Sequence, residues 1–220
     1  MSLRKTSFVE GEVYHIYNRG NNKQEIFHDK EDYFRFMSLM FACNSLNNFK
    51  SDSLNKNQTP YSFERGNTIV SIGAYCLMFN HFHILIKQKT ENGISKFMQK
   101  LCTSYSMYYN KKYQRTGSLF EGKFKSKISD SDRYLKYLFS YIYLNPIKNI
   151  DSNWKEKNII YKKDIKFFLK NYEYSSFMDF FNKRIHFMIL EQKAFPEYFA
   201  NTKVLEDEVF SWFNSPLGKA

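Results

Sequence analysis

Hydrophobic and polar positions divide the first 150 residues into seven periodic segments. Val13 to Arg19 (VYHIYNR) is aromatic and β-branched and stops at Gly20, which predicts a strand. From Glu31 to Leu46, apolar residues at Tyr33, Phe34, Phe36, Met37, Met40, Phe41 and Leu46 fit an amphipathic helix. Asn47 to Asn67 is polar and holds Pro60 and Gly66, so a long connection is expected. Thr68 to Leu77 (TIVSIGAYCL) is rich in β-formers, and His81 to Lys87 (HFHILIK) alternates. Met78-Phe79-Asn80 between them predicts a tight turn and a hairpin. Gly93 to Tyr113 has helical spacing through Ile94, Phe97, Met98, Leu101 and Tyr105, and Gly117 breaks it. Leu119 to Ile128 reads as a short basic strand. Asp130-Ser131-Asp132 supplies an N-cap for a helix that runs to Asn145 and stops at Pro146.

The order strand, helix, strand, strand, helix, strand, helix is that of an α+β protein. Its first six elements match a split βαβ arrangement, a ferredoxin-like βαββαβ sandwich with an antiparallel sheet. The chain of 220 residues allows one domain with a modest extension. We place the domain at 1–150 and an appended helical tail, rich in Lys and Phe, at 151–220.

Composition narrows the classes. At 43% hydrophobic and 19% aromatic the chain can bury a core, which excludes general disorder. Cys43, Cys76 and Cys102 are too few and too scattered for a disulfide framework or a cysteine-rich zinc module. No uncharged apolar run approaches the roughly 20 residues of a membrane helix, and the start, MSLRKTSFVEGEVY, lacks a secretory apolar stretch. A cytoplasmic protein with no membrane partner is expected. Lys and Arg number 33 against 22 Asp and Glu, a formal charge of +11, which points to a polyanion. Lys87 to Lys127 holds ten basic residues and only two acidic ones, Glu91 and Glu121. Tyr105, Tyr108, Tyr109, Tyr113, Phe120 and Phe124 lie among these cations. Such rings either stack on unpaired bases or belong to the core.

His81-Phe82-His83 carries the first chemical signal. On a strand both imidazoles face one side, while Phe82 and Ile84 face the other. The pair is half of a metal site, or simply two hydrogen-bonded histidines. His15, on the first predicted strand, is within reach of the same sheet; His28 and His186 have no partner that the sequence names. Among 17 tyrosines, a nucleophile that shares a helix face with a metal ligand needs that ligand three or four residues away. In the last helix Leu135, Leu138, Phe139 and Ile142 form the apolar stripe. Tyr141 lies one step off it and has Asn145 at i+4, whereas Tyr143 points roughly 200° away and has Ile147 there. Spacing alone leaves open a core-edge tyrosine and a helix-end asparagine.

Several blocks occur together: YHIYNRGNN (14–22), IFHDKEDYFRF (26–36), AYCLMFNHFHILI (74–86), GSLFEGKFKS (117–126) and YIYLNPIKN (141–149). In kind and order they resemble the HUH single-tyrosine transposases, most closely the REP-associated tyrosine transposase branch of the IS200-like enzymes. The resemblance implies that His81 and His83 are metal ligands, Asn145 the third protein ligand and Tyr141 the nucleophile on a C-terminal catalytic helix. It implies Mg2+ or Mn2+ as cofactor, with a hairpin-associated single-stranded DNA as substrate. The product would be a 5′-phosphotyrosine and a free 3′-hydroxyl that can rejoin strands. Lys87, Arg115, Lys123 and Lys125 are candidates for holding the DNA backbone, and Arg19 and Asn21 of the RGN block for touching it. Relatives include monomers and homodimers, and a nucleoid-associated location follows from the substrate. Phe79 departs from the proline usual before Asn-His. Two rivals stay open, a hairpin-binding protein without chemistry and a metal-dependent nuclease in which water attacks.

Overall fold

The computed structural model describes residues 7–47, 60–62, 64–149, 162–181 and 184–212. Strands β1 (Val13–Arg19), β2 (Val70–Met78), β3 (His81–Gln88) and β4 (Lys125–Ile128) form one antiparallel sheet in the order β2-β3-β1-β4. Helix α1 (Lys30–Ala42) lies between β1 and β2 in the chain, α2 (Gly93–Lys112) between β3 and β4, and α3 (Asp132–Leu144) follows β4. This is the ferredoxin-like order expected from the sequence. Among the described residues no helix is long and apolar enough to cross a membrane.

Two predicted boundaries move. Helix α1 stops at Ala42 rather than Leu46 because Asn44 turns to serve β2. Its Nδ2 donates to the Val70 carbonyl (2.9 Å), and its Oδ1 accepts from the Ile69 and Val70 amides (3.0 and 3.1 Å). Strand β4 starts at Lys125 rather than Leu119. Gly122 holds φ +69°, a conformation that breaks a strand. The Leu119 carbonyl accepts from the Asn21 amide (2.8 Å), and Phe120 bridges Gly20. The 119–124 segment is therefore a loop laid against the RGN block. Of the polar connection predicted at 47–67, residues 48–59 and 63 lie outside the described set.

Alternation along the strands builds two cores. Tyr14, Ile16, Phe82, Ile84 and Ile86 face α1 and α2, where Phe36, Met37, Phe97, Leu101 and Tyr105 meet them. The opposite face carries Ala74, Cys76, Met78 and Leu85, which pack with Leu138, Phe139, Ile142 and Tyr143 of α3. The β2–β3 register shifts between Ile72 and Ala74, so β2 points Val70 and Ile72, then Tyr75 and Leu77, into the first core. Gly73 sits at the shift, and a Cβ there would lie 2.8 Å from the Phe195 ring.

That ring belongs to the tail, which contains α4 (Lys162–Asn171), α5 (Thr202–Ser211) and short turns between them. The tail covers the outer edge of β2, whose nine residues are all buried. The Leu77 amide donates to the Tyr174 carbonyl (2.9 Å), the Ser176 amide to Tyr75 (3.0 Å) and the Glu191 amide to Ile72 (2.9 Å). An edge strand is thereby closed to further pairing. Arg184 and Tyr75 both bond the buried Asp179 carboxylate (2.8 and 2.7 Å), which fastens the turns to the sheet. Leu205 and Val209 of α5 join the second core, and Lys136 of α3 pairs with Glu208 (2.7 Å).

Candidate active site

Strand register dictates what gathers on the α3 face of the sheet. Tyr17 lies opposite His83, and Arg19 opposite His81. Residues directly opposite in an antiparallel pair share a face, so His15, Tyr17, Arg19, His81 and His83 all project toward α3. Tyr17 also pairs with Lys125 of β4. α3 crosses this face, held there by its apolar stripe: Leu138, Phe139 and Ile142 are buried in the second core. Tyr141, one step off the stripe, comes down beside the histidines. Its ring stands edge-on to His15 and to His83, with centroids 5.6 Å apart in each case. The result is a pocket of about 330 Å³ lined by Tyr17, Asn18, Arg19, Lys23, Asn80, His81, His83, Glu121, Lys125, Tyr141 and Lys148. One chain supplies both the imidazoles and the phenol.

Each imidazole is oriented through Nδ1. His81 donates from Nδ1 to Oδ1 of Asn80 (2.6 Å), and Asn80 is itself fixed by donating from Nδ2 to the Lys23 carbonyl (3.1 Å). Nε2 of His81 is left as a lone pair. His83 uses Nδ1 toward His15 Nε2 (2.8 Å). Its own Nε2 is buried and meets no hydrogen-bond partner among the described residues. Burial, with the Lys148 and Arg19 cations, pulls the His81 pKa down to about 4. Burial, followed by the His15, His81 and Lys148 charges, drives that of His83 well below the ordinary histidine value. Both rings are therefore neutral near pH 7, the state in which imidazole binds a metal.

Asn145 is buried at the end of α3. Its Nδ2 donates to the Tyr141 carbonyl (2.8 Å), and its Oδ1 accepts from the Lys148 ammonium (2.8 Å). Lys148 also lies 5.4 Å from the Tyr141 ring centroid. Burial pushes the Tyr141 phenol above the usual tyrosine range, and its hydrogen bond with Asn145 works the other way. Tyr143, by contrast, is wholly buried in the second core, 5.5 Å from the Phe177 ring.

The basic candidates divide. Lys125 and Arg19 line the pocket, and Arg19 forms a two-pronged ion pair with Glu121, one prong of 3.0 Å. Asn21 is exposed in the 3-10 turn Asn21–Lys23, and Lys123 is exposed on the loop before β4. Lys87 is at the far end of β3 and donates to the Ala194 carbonyl (3.1 Å). Arg115 lies over the Tyr109 ring (5.5 Å) at the end of α2. Neither lines the pocket. The sequence reading missed Lys148, Lys23, Asn80 and Glu121. Lys148 had a signal, since it stands seven residues after Tyr141, two helical turns on. Glu121 had none, because a loop places it.

No curated protein matches the chain. The fold is similar to a solved structure described as the REP-associated tyrosine transposase bound to a REP hairpin. The TM-score is 0.53 at 11% identity, over 92% of this chain and 93% of that one. At that identity the likeness speaks for the fold. A model of the IS200-like transposase family matches residues 62–145, the span that holds His81, His83, Tyr141 and Asn145. Over that span the chain is similar to the IS200-like transposases.

Proposed function

We propose that this chain is a transposase that nicks and rejoins single-stranded DNA beside a hairpin, with Tyr141 as nucleophile and His81, His83 and Asn145 as ligands of Mg2+ or Mn2+. One observation carries the reading: the His83 ring, whose buried Nε2 has no hydrogen-bond partner among the described residues, lies 5.6 Å from the Tyr141 ring. The residues present fit a divalent ion. Two neutral imidazoles can each offer a nitrogen lone pair, and the Asn145 amide oxygen already accepts a cation in the form of Lys148. When bound, the ion would neutralise a non-bridging phosphate oxygen and the charge that builds on it in the transition state.

The chain's own groups do the rest. Tyr141 gives up its phenolic proton and bonds to phosphorus as the bond to the 3′-oxygen breaks, leaving a 5′-phosphotyrosine and a free 3′-hydroxyl. Attack by a 3′-hydroxyl on that linkage reverses the step and joins strands without an added energy source. The Lys148 ammonium, 5.4 Å from the Tyr141 ring centroid, would offset negative charge that develops on the phenol oxygen. Lys23, Lys125 and Arg19 give the pocket rim the positive charge that a nucleic-acid backbone requires. The solved relative is described with a REP hairpin, which favours a hairpin-bearing strand as partner here too. A protein with such a substrate works at the nucleoid.

The test is covalent capture. A hairpin-bearing single strand with Mn2+ should leave an SDS-resistant protein–DNA adduct with wild type and with Tyr143→Phe, and none with Tyr141→Phe or in EDTA. An adduct that survives Tyr141→Phe removes the nucleophile assignment. Cleavage without an adduct would identify water as the attacking group.

A further inference from the structure

His15 does not line the pocket, yet it is buried against the histidine that does. On β1 it sits opposite Leu85, one step along the same face from the Tyr17–His83 pair. That diagonal brings its ring to 5.0 Å from the His83 ring, the two planes 25° apart, with His15 Nε2 and His83 Nδ1 at 2.8 Å. A contact between two ring nitrogens at this distance holds one proton, and two arrangements are available. If His15 donates, His83 must carry its other proton on Nε2, where it would point into the pocket. If His83 donates from Nδ1, its Nε2 is a lone pair.

We infer that His15 is a positioning residue that accepts the Nδ1–H of His83 and so fixes His83 in the tautomer whose Nε2 lone pair faces the pocket. Two observations favour this arrangement. Nε2 of His83 is buried with no partner among the described residues, so nothing there would receive a proton. His81, the adjacent ring on the same strand, is held in the same state by an acceptor that cannot donate, Asn80 Oδ1. The two histidines of the motif are thus prepared in parallel, one by its chain neighbour and one by a residue 68 positions earlier. An imidazole whose other nitrogen is hydrogen-bonded in this way is a better oriented and more basic ligand.

The inference rests on reading His83 as a ligand, and the experiment separates the two. Long-range 1H–15N spectra of the metal-free, EDTA-treated full chain report the His83 tautomer directly. Wild type and His15→Gln, which keeps an acceptor near the same place, should show Nδ1–H; His15→Phe should shift His83 toward Nε2–H. Mn2+ binding followed by electron paramagnetic resonance should weaken 10–100-fold in His15→Phe and recover in His15→Gln. An Nε2–H tautomer of His83 in wild type overturns the inference with no variant needed. So does a His15→Phe protein that keeps both tautomer and affinity. If wild type shows the Nδ1–H tautomer but binds no Mn2+, the ligand reading fails while the role of His15 toward His83 stands.

Discussion

His81 offers a quantitative handle on the site because its environment is set by few groups. Burial is the main reason its pKa falls from 6.5 to about 4, and the Lys148 and Arg19 cations add to it. The sign follows from proton counting. Between those two values the unfolded chain carries a proton on His81 and the folded chain does not, so the unfolded state binds more protons and stability rises with pH. Stability is thus intact above about pH 6.5 and drains away as the pH falls toward the folded value. The loss attributable to this one ring is about 1 kcal/mol at about pH 5.5 and about 2–3 kcal/mol at about pH 4.5.

The assay is urea unfolding of wild type and His81→Gln in EDTA, at about pH 7.5, 5.5 and 4.5. Glutamine does not titrate, and the carboxylates that dominate acid unfolding are common to both proteins, so they cancel in the difference. The gap between the two stabilities should change in favour of the variant by the amounts above. Curves that stay parallel across the range would mean that His81 accepts a proton in the folded state as readily as in the unfolded chain. The pocket would then lack the neutral imidazole that the proposed cation binding requires.

Two further predictions concern the rim and the tail. Glu121 occupies Arg19, so Glu121→Gln should free that guanidinium for DNA and remove a repulsive carboxylate. Fluorescence anisotropy on a single strand should then show tighter binding at low salt. The salt slope should steepen by about 0.7, equivalent to about 2.6-fold extra weakening between roughly 50 and 200 mM salt; an unchanged slope would leave Arg19 without a phosphate contact. Gly73→Ala drives a methyl group into the Phe195 ring and should cost about 1–3 kcal/mol in urea unfolding. Phe195→Leu in the same chain should recover part of that loss.

The parts of the site legible in the sequence are those governed by a local period. A period of two put His81 and His83 on one face, and i, i+4 spacing joined Tyr141 to Asn145; both relations hold in the structure. The same helical angles separated Tyr141 from Tyr143, and the structure buries the second in the core. His15 against His83 is a different kind of relation. It needs the β1–β3 register, which two residues far apart in sequence do not reveal until the sheet order is known. Glu121 and Asn80 lie further still from any period, since a loop held by Gly122 and a two-residue turn place them. The departure at Phe79 costs the turn little. Its carbonyl accepts from the Ile26 and Phe27 amides (2.8 and 3.1 Å), and neither Phe79 nor Asn80 takes a positive φ.

The tail was the least legible layer, and the reason is physical. Its contacts with β2 come from Ser175, Ser176, Glu191 and Phe195, single residues in short turns that carry no hydrophobic period. Its signature lay instead in the elements it covers. VSIGAYCLM has no polar alternation, as befits a strand buried on both faces. On α3, Ser140, Tyr143 and Leu144 are buried as well as the stripe, so apolar contact extends beyond the one face that meets the sheet. An amphipathic helix resting on a sheet needs only one such face; the surplus requires a second partner, and α5 provides it. Because α3 is gripped between sheet and tail, Tyr141 is held against the histidines by residues that never touch them. The geometry of the phenol is in this sense a property of residues 172–181 and 184–212 as much as of the helix that carries it.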